Sequence, residues 1–237
     1  MRGGWRGDGR RQARNWTPTD GMDAVCGMVP QLETGVRRGA HQVAEENGSG
    51  RYTPHWVRPG HWAQNGTLDL PTADAREVAD WPAPVREALE VARRYGLPHG
   101  DTMCLPVPGS APFSRVAGRF WSLGLTDTWP APEYVLDETG RVWVLAEGVD
   151  PAKRFVNSSM IDFLDALAAW EYRCEHVDDF DDLEPPDDYG GDDDPAGEAR
   201  VAFGMEIRDR LRELDPPAFE MDTWWDRVYE EVGYDAI

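Results

Sequence analysis

The hydrophobic pattern changes abruptly over residues 154–174, where a short apolar strand passes directly into a helix. Phe155 and Val156 are apolar and β-prone, and the polar run at 157–159 offers side-chain oxygens to the free N–H groups of a helix start. Asp162 follows Ser159 at the spacing of a capping box, with its carboxylate near the positive end of the helix dipole. The apolar positions then recur on one helical face, at Phe163, Leu167, Trp170 and Cys174. This pattern predicts a strand joined to a helix that is buried on most sides.

A β-hairpin is predicted immediately before this junction. Residues 134–136 and 141–145 are mostly β-branched or aromatic, and the turn between them contains Asp137 and Gly140. Both faces of the hairpin are apolar, so we expect it to lie at the centre of a sheet. Residues 120–124 are a further strand candidate. These segments and residues 154–156 predict strands that follow one another along the chain.

Four further helices are predicted from apolar spacing and capping residues. A short one covers 73–77, and a second covers 85–95 and ends at Gly96, which suits a C-terminal cap. The third carries an apolar stripe at Phe203, Ile207, Leu211 and Leu214. The last begins at Asp222 or Thr223 and carries Trp225, Val228, Tyr229 and Val232. Its tryptophans are core residues or an exposed anchor for a partner, and stripes at helical spacing usually face inward. The predicted fold class is α+β, with a mixed or antiparallel sheet flanked by helices.

The domain organisation follows from where this periodicity stops. Residues 1–65 are dominated by Gly, Arg, Asn, Thr and Asp, which predicts a disordered or loosely packed tail. Residues 66–237 are predicted to form the folded domain, with an acidic low-complexity insertion at about 178–198. This insertion holds eleven acidic residues and no basic one, so like-charge repulsion predicts a disordered linker or an exposed loop. Its aspartates lack the ligand order of an EF-hand, which argues against a specific calcium site.

The net charge of the chain limits the classes of partner that it can bind. The formal net charge is −20, and Lys153 is the only lysine. Such a chain is poorly suited to the nucleic-acid backbone or to anionic membranes, whereas a basic protein partner is permitted. The same charge also serves solubility alone, and both interpretations stay open.

The cysteines and the hydropathy indicate a cytoplasmic protein. Cys26, Cys104 and Cys174 are odd in number and far apart, which favours reduced thiols over a disulfide framework. No segment approaches the roughly 18 apolar residues of a membrane span. The N-terminal segment has no apolar core of the kind a signal peptide needs.

No catalytic set is recognisable in the chain. The surroundings of Ser110 lack the GxSxG pattern, and there is no P-loop, dinucleotide fingerprint or HExxH. His55 and His61 could ligate a metal, but no third ligand stands at a recognised spacing. We therefore expect no metal, no cofactor and no enzymatic activity.

The strand-to-helix junction also carries a resemblance. The run from 155 to 164, together with an aromatic residue that opens the last helix, resembles the SUKH-4 family of the SUKH superfamily of bacterial immunity proteins. The residues that carry the resemblance are Phe155, Asn157, Ser158, Ser159, Phe163 and Trp225. The resemblance implies a SUKH-like α+β fold and a protein that neutralises a cognate toxin of a polymorphic toxin system by occlusion.

The resemblance also directs attention to the acidic insertion. Family toxins commonly act on nucleic acid and are basic, so an acidic segment that imitates phosphate would attract them. The candidate contact residues are Asp178, Asp179, Asp181, Asp182, Asp187 and Asp188. A solvated loop without a partner is the alternative interpretation of the same residues. Two other functions stay open: a regulatory scaffold of the same superfamily, and a hydrolase that uses surface carboxylates.

Overall fold

The computed structural model describes residues 54–62, 66–71, 78–100, 102–126, 132–146, 152–180 and 194–237. Within these ranges the chain forms a five-stranded sheet and four α-helices, an α+β arrangement as predicted. In chain order the elements are α1 (Ala83–Tyr95), β1 (Arg115–Val116), β2 (Phe120–Leu125), β3 (Glu133–Leu136), β4 (Val142–Leu145), β5 (Lys153–Asn157), α2 (Met160–His176), a 3-10 helix (Val177–Phe180), α3 (Pro195–Leu214), a second 3-10 helix (Pro216–Phe219) and α4 (Trp224–Gly233). No helix in these ranges is long and apolar enough to cross a membrane.

The sheet is antiparallel throughout, with the strands in sequence order from β1 to β5. The predicted hairpin forms β3 and β4 and lies inside the sheet, as its two apolar faces indicate. Asp137 accepts hydrogen bonds at the hairpin turn from the Thr139 N–H (2.8 Å) and the Arg141 N–H (3.1 Å). Gly140 completes the turn with φ of +85°, a conformation that favours glycine.

Helix α2 begins as its sequence predicts. Ser159 is the N-cap, and its hydroxyl accepts a hydrogen bond from the Asp162 N–H at 3.3 Å and donates to the Asp162 carboxylate at 2.6 Å. The Asp162 side chain is buried, and its other carboxylate oxygen, Oδ1, has no hydrogen-bond partner among the described residues. Burial, together with the neighbouring carboxylates of Asp215 and Asp165, raises the pKa of Asp162 to about 7.

The core lies between one face of the sheet and α2. Phe163 is fully buried with its ring 5.1 Å from that of Tyr134 on β3. Trp170 lies further along α2 and meets Trp225 and Tyr229 of α4 at 6.5 and 6.1 Å between ring centres. Each such large side chain contributes roughly 1.5–3 kcal/mol on burial. The prediction that α2 is buried on most sides, and that Trp225 belongs to the core, is therefore confirmed.

Two elements extend beyond the sequence pattern. Helix α3 begins at Pro195, eight residues before Phe203, where the periodic stripe starts. Pro195 occupies the first turn, where a missing N–H costs nothing, and so the helix starts within the segment for which a linker was expected. At the other end of that segment, residues 177–180 form a 3-10 helix that continues α2.

Residues 54–62 differ most from the expectation of a loosely packed tail. Val57 and Trp62 are buried in the main core. The fully buried Asp165 of α2 accepts hydrogen bonds from the backbone N–H groups of residues 55, 56 and 57 at 2.9, 2.6 and 2.8 Å. Glu171, two turns later, accepts one from the Trp62 indole at 2.8 Å. These contacts join residues about 110 positions apart, which no local pattern can reveal. The rest of the predicted tail, the helix at 73–77 and Cys26 lie outside the described residues.

Candidate partner-binding surface

The residues that carry the family resemblance meet at one buried junction. Asn157, at the end of β5, is 1 % exposed and donates from its amide to Asp215 at 3.0 Å. Ser158 donates to the same carboxylate twice, from its backbone N–H at 2.9 Å and from its hydroxyl at 2.6 Å. The side-chain oxygen of Asn157, Oδ1, accepts a hydrogen bond from the Trp225 indole N–H at 3.0 Å. The junction thus ties β5 and the start of α2 to the segment between α3 and α4.

The remaining members of that set are also structural in position. Ser159 caps α2 and Phe163 packs in the core, as described above. Phe155 lies on the opposite face of the sheet, half-buried, with its ring 5.2 Å from that of Trp143. Five of the six residues therefore hold the domain together, whereas Phe155 is partly accessible on the face of the sheet away from α2.

Two of the six predicted contact residues lie on a described surface. Asp178 and Asp179 are exposed on the 3-10 helix that follows α2. The other four, Asp181, Asp182, Asp187 and Asp188, lie outside the described residues. Exposed Glu175 stands on the last turn of α2, just before this 3-10 helix. The described end of the insertion therefore concentrates negative charge where α2 stops.

Aromatic side chains line the same place. Tyr172, 41 % exposed, lies 4.2 Å from the His176 ring and 6.0 Å from the ring of Phe203 on α3. Phe180 of the 3-10 helix lies 5.3 Å from Phe203. We call this the acidic–aromatic surface, defined by Tyr172, Glu175, His176, Asp178, Asp179, Phe180 and Phe203. It combines exposed carboxylates with a partly accessible aromatic group, a composition that suits a protein contact.

The cations nearest in sequence to this surface have carboxylate or carbonyl partners of their own. Arg200 lies one turn before Phe203, and its guanidinium donates to Asp235 at 2.7 Å and to Asp194 of the insertion at 3.5 Å. Arg173 is buried, and it donates to the Ile237 carbonyl at 2.6 Å. Among the described residues, no ion pair joins either guanidinium to Asp178 or Asp179. Exposed charges act over about one Debye length, which is ~10 Å at 0.1 M salt.

The histidine and cysteine side chains considered in the sequence analysis can be located where the structure describes them. His61 lies 3.2 Å from Glu171, beside the Trp62 bond to the same carboxylate. Within the described ranges, no group of three or more His, Cys, Asp or Glu residues is arranged to hold a metal ion. Cys174 is a free thiol, and burial raises its pKa. An open groove of about 450 Å³ lies between α3 and α4, with Phe219 and Tyr229 among its lining residues.

Sequence reasoning missed the acidic residues that hold the fold together. Asp215 precedes two prolines, a position that indicates only the end of a helix, and Asp165 and Glu171 read as polar positions of α2. The structural role of each carboxylate is evident only when its hydrogen-bond donors are known, because a buried carboxylate needs several donors to offset its desolvation. A sequence signal exists for Asp165 alone: it interrupts a run of apolar residues on a helix predicted to be buried all round.

The chain forms an α+β protein in which the residues that carry the family resemblance connect the sheet to the helices. Comparison with protein-family models matches residues 38–231 to the SUKH-4 immunity protein family, which covers most of the chain. The chain belongs to that family, as the run at 155–164 predicts. Membership implies a cognate toxin as the partner. Comparisons with curated proteins and with solved structures gave no match.

Proposed function

We propose that this chain is a cytoplasmic immunity protein that binds a basic, nucleic-acid-targeting toxin and neutralises it by covering the toxin's functional surface. The observation that carries the proposal is the acidic–aromatic surface at the end of α2, on a chain of the SUKH-4 immunity protein family. Asp178 and Asp179 supply exposed charge, and Tyr172 supplies an aromatic anchor beside them. Asp181, Asp182, Asp187 and Asp188 follow directly in the chain and would extend the same acidic contact.

Electrostatics gives this arrangement a kinetic advantage. A toxin that acts on nucleic acid must present cations to phosphate, and an acidic antitoxin accelerates encounter with that surface. Steered association is fast at low salt and slows as salt screens the charges. The aromatic group then contributes contact area that salt does not weaken. Fast encounter combined with a salt-resistant anchor is what inhibition by occlusion requires.

Binding accounts for the described surface better than hydrolysis does. The groove between α3 and α4 is lined by carboxylates, but these already have partners. Arg227 binds Asp222 and Glu230, and the Asp226 carboxylate accepts the Asp222 N–H at 3.0 Å. A general base must be within reach of a substrate proton, and carboxylates engaged in this way are poorly suited to that role. We therefore propose that the protein acts without catalysis.

The test is co-expression with a candidate toxin from the neighbouring genes. The wild-type chain should restore growth, and the Asp178→Lys/Asp179→Lys variant should bind the purified toxin roughly ten- to a hundredfold more weakly. The matched control is Glu87→Lys/Glu90→Lys, which makes the same charge change on exposed positions of α1.

Each outcome bears on a different part of the proposal. If the wild-type chain fails to protect the cell, the immunity function is wrong and a scaffold role becomes the better hypothesis. If protection occurs but the two double variants weaken binding equally, the acidic–aromatic surface is not the contact. An affinity that does not fall between low and high ionic strength would exclude charge-led binding.

A further inference from the structure

The sheet face that points away from α2 carries its own side-chain cluster. In the antiparallel register Val135, Trp143 and Phe155 form one row across β3, β4 and β5. Tyr134, the neighbour of Val135, points the opposite way and meets Phe163 and Trp224 at 5.1 and 5.8 Å. Because side chains alternate along a strand, the row that contains Trp143 lies on the face away from α2. We call its cluster the cation–aromatic face, defined by Arg119, Phe120, Arg141, Trp143, Lys153 and Phe155.

Cations are held against aromatic rings on this face. The Lys153 ammonium lies 3.3 Å from the centre of the Trp143 ring and 5.2 Å from that of Phe120. The guanidinium of Arg119 lies 5.0 Å from the Phe120 centre. Phe155 meets Trp143 edge-on at 5.2 Å, and Trp143 and Phe155 are each half-buried. Aromatic contact orients the cations, and part of the Trp143 and Phe155 rings stays accessible, whereas Phe120 is buried.

No ion pair with a carboxylate is found for these cations in the described part of the chain, although acids outnumber bases in the full sequence by 44 to 24. Among the described residues, no carboxylate lies within ion-pair distance of Arg119, Arg141 or Lys153. By contrast, Arg210 pairs with Glu213, and Arg227 pairs with both Asp222 and Glu230. The nearby Asp137 is engaged by the hairpin turn and accepts the Trp143 indole N–H at 2.8 Å. Burial lowers the pKa of Lys153; Asp137 opposes this shift, while Arg119 and Arg141 add to it. The face is therefore locally cationic on an acidic protein.

We propose that the cation–aromatic face binds an acidic segment of a partner protein. Carboxylates of that segment would reach Arg119, Arg141 and Lys153, and an apolar side chain would pack on the exposed parts of Trp143 and Phe155. Charge complementarity selects this occupant, and tryptophan and arginine are the residue types that dominate binding energy at protein contacts. A nucleic acid fits less well, because its backbone is charged at every nucleotide while the face offers three cations, and it supplies no aliphatic side chain to pack on Trp143 and Phe155. This contact is independent of the acidic–aromatic surface and of the toxin proposed for it.

The experiment measures binding of labelled peptides to the full chain by fluorescence anisotropy. One peptide of about twelve residues repeats Glu-Glu-Leu, a second repeats Gln-Gln-Leu, and a thymidine oligonucleotide of similar length is the third probe. At about 50 mM salt the Glu peptide should bind at least roughly tenfold more tightly than the Gln peptide, and this preference should weaken at about 500 mM.

Variants locate the contact. Arg119→Glu/Lys153→Glu should weaken binding of the Glu peptide at least roughly tenfold, whereas Lys153→Arg should keep it. Arg210→Glu/Arg212→Glu on α3 makes the same charge change at exposed positions and should have a smaller effect. Thermal unfolding of each variant checks that the sheet is intact, and Trp143→Phe keeps the packing if larger changes unfold it.

Three results would overturn the proposal. Equal binding of the Glu and Gln peptides removes the electrostatic basis, and equal loss in the two double variants removes the location. Binding of the oligonucleotide that exceeds peptide binding and is lost in Arg119→Glu/Lys153→Glu would assign the face to nucleic acid instead.

Discussion

Replacement of Asp215 by alanine should destabilise the protein strongly, because one carboxylate satisfies three donors at the junction. Asp215 is 5 % exposed and accepts hydrogen bonds from the Asn157 amide, the Ser158 N–H and the Ser158 hydroxyl. The half-buried hydroxyl of Ser158 can turn towards water once the carboxylate is gone. The Asn157 amide is buried and cannot, and the Ser158 N–H is held in place by the chain.

The expected magnitude follows from these two donors. A buried donor left without an acceptor costs about 1–3 kcal/mol, and bonds to a charged acceptor lie at the upper part of that range. Allowing for partial relaxation, we expect Asp215→Ala to lower the free energy of unfolding by about 3–4 kcal/mol. This is a large share of the roughly 5–15 kcal/mol that holds a typical domain folded.

The assay is urea-induced unfolding followed by tryptophan fluorescence. The unfolding midpoint should fall while the dependence on urea stays unchanged, since the surface exposed on unfolding is the same. The matched control is Asp209→Asn, on helix α3, which ends just before Asp215. Among the described residues the exposed Asp209 carboxylate pairs with neighbouring Arg208, so its loss should cost less than about 0.5 kcal/mol.

A double-mutant cycle tests the cause. Asn157→Ala and Asp215→Ala share one hydrogen bond, so their effects should be non-additive by about 1 kcal/mol or more. If Asp215→Ala unfolds at the same midpoint as Asp209→Asn, or if the two alanine variants are additive, the junction does not stabilise the fold in the way argued here.

Three further predictions follow from other buried groups. The pKa of Asp162 is about 7 in the folded protein and ordinarily 3.8, so the carboxyl ionises first in the unfolded chain and lowers the stability of the fold as pH rises from about 4 to 7. Asp162→Asn should therefore make the free energy of unfolding less dependent on pH in that window. Urea unfolding measured across this pH range would contradict the prediction if the slope of stability against pH stayed unchanged. Phe163→Asp places a charge in the core beside Tyr134 and should cost several kcal/mol, so we expect an insoluble protein or one that circular dichroism shows to be unfolded. The control Phe163→Leu should stay folded. A soluble, folded aspartate variant would mean that the orientation of α2 is wrong. Asp165→Ala removes the acceptor of three backbone N–H groups and should speed hydrogen exchange at residues 55–57 while α3 keeps its protection; unchanged exchange there would show that the carboxylate does not hold this segment.

Local chemistry was enough for the elements around the junction. Ser159 and Asp162 form the expected cap because the groups that satisfy a helix start lie within three residues of one another. The hairpin at 134–145 and the C-terminal helix from Trp224 were predictable for the same reason, since turn residues and apolar spacing act over short distances. The family followed from the same short run of residues.

Long-range contacts could not be predicted in this way. The spacing of Asp165 and Glu171 says only that they lie on α2; that they hold residues 54–62 depends on partners about 110 positions away. Lys153 is unremarkable as the single lysine of an acidic chain until the sheet brings it over Trp143 from another strand.

The amino-acid order therefore sets each element and its buried face, because capping and periodicity are local properties. Which carboxylates become structural acceptors, and where cations gather on an acidic protein, depends on the approach of distant segments. The energy of a charge is decided by its burial and its neighbours, and the folded chain alone supplies both.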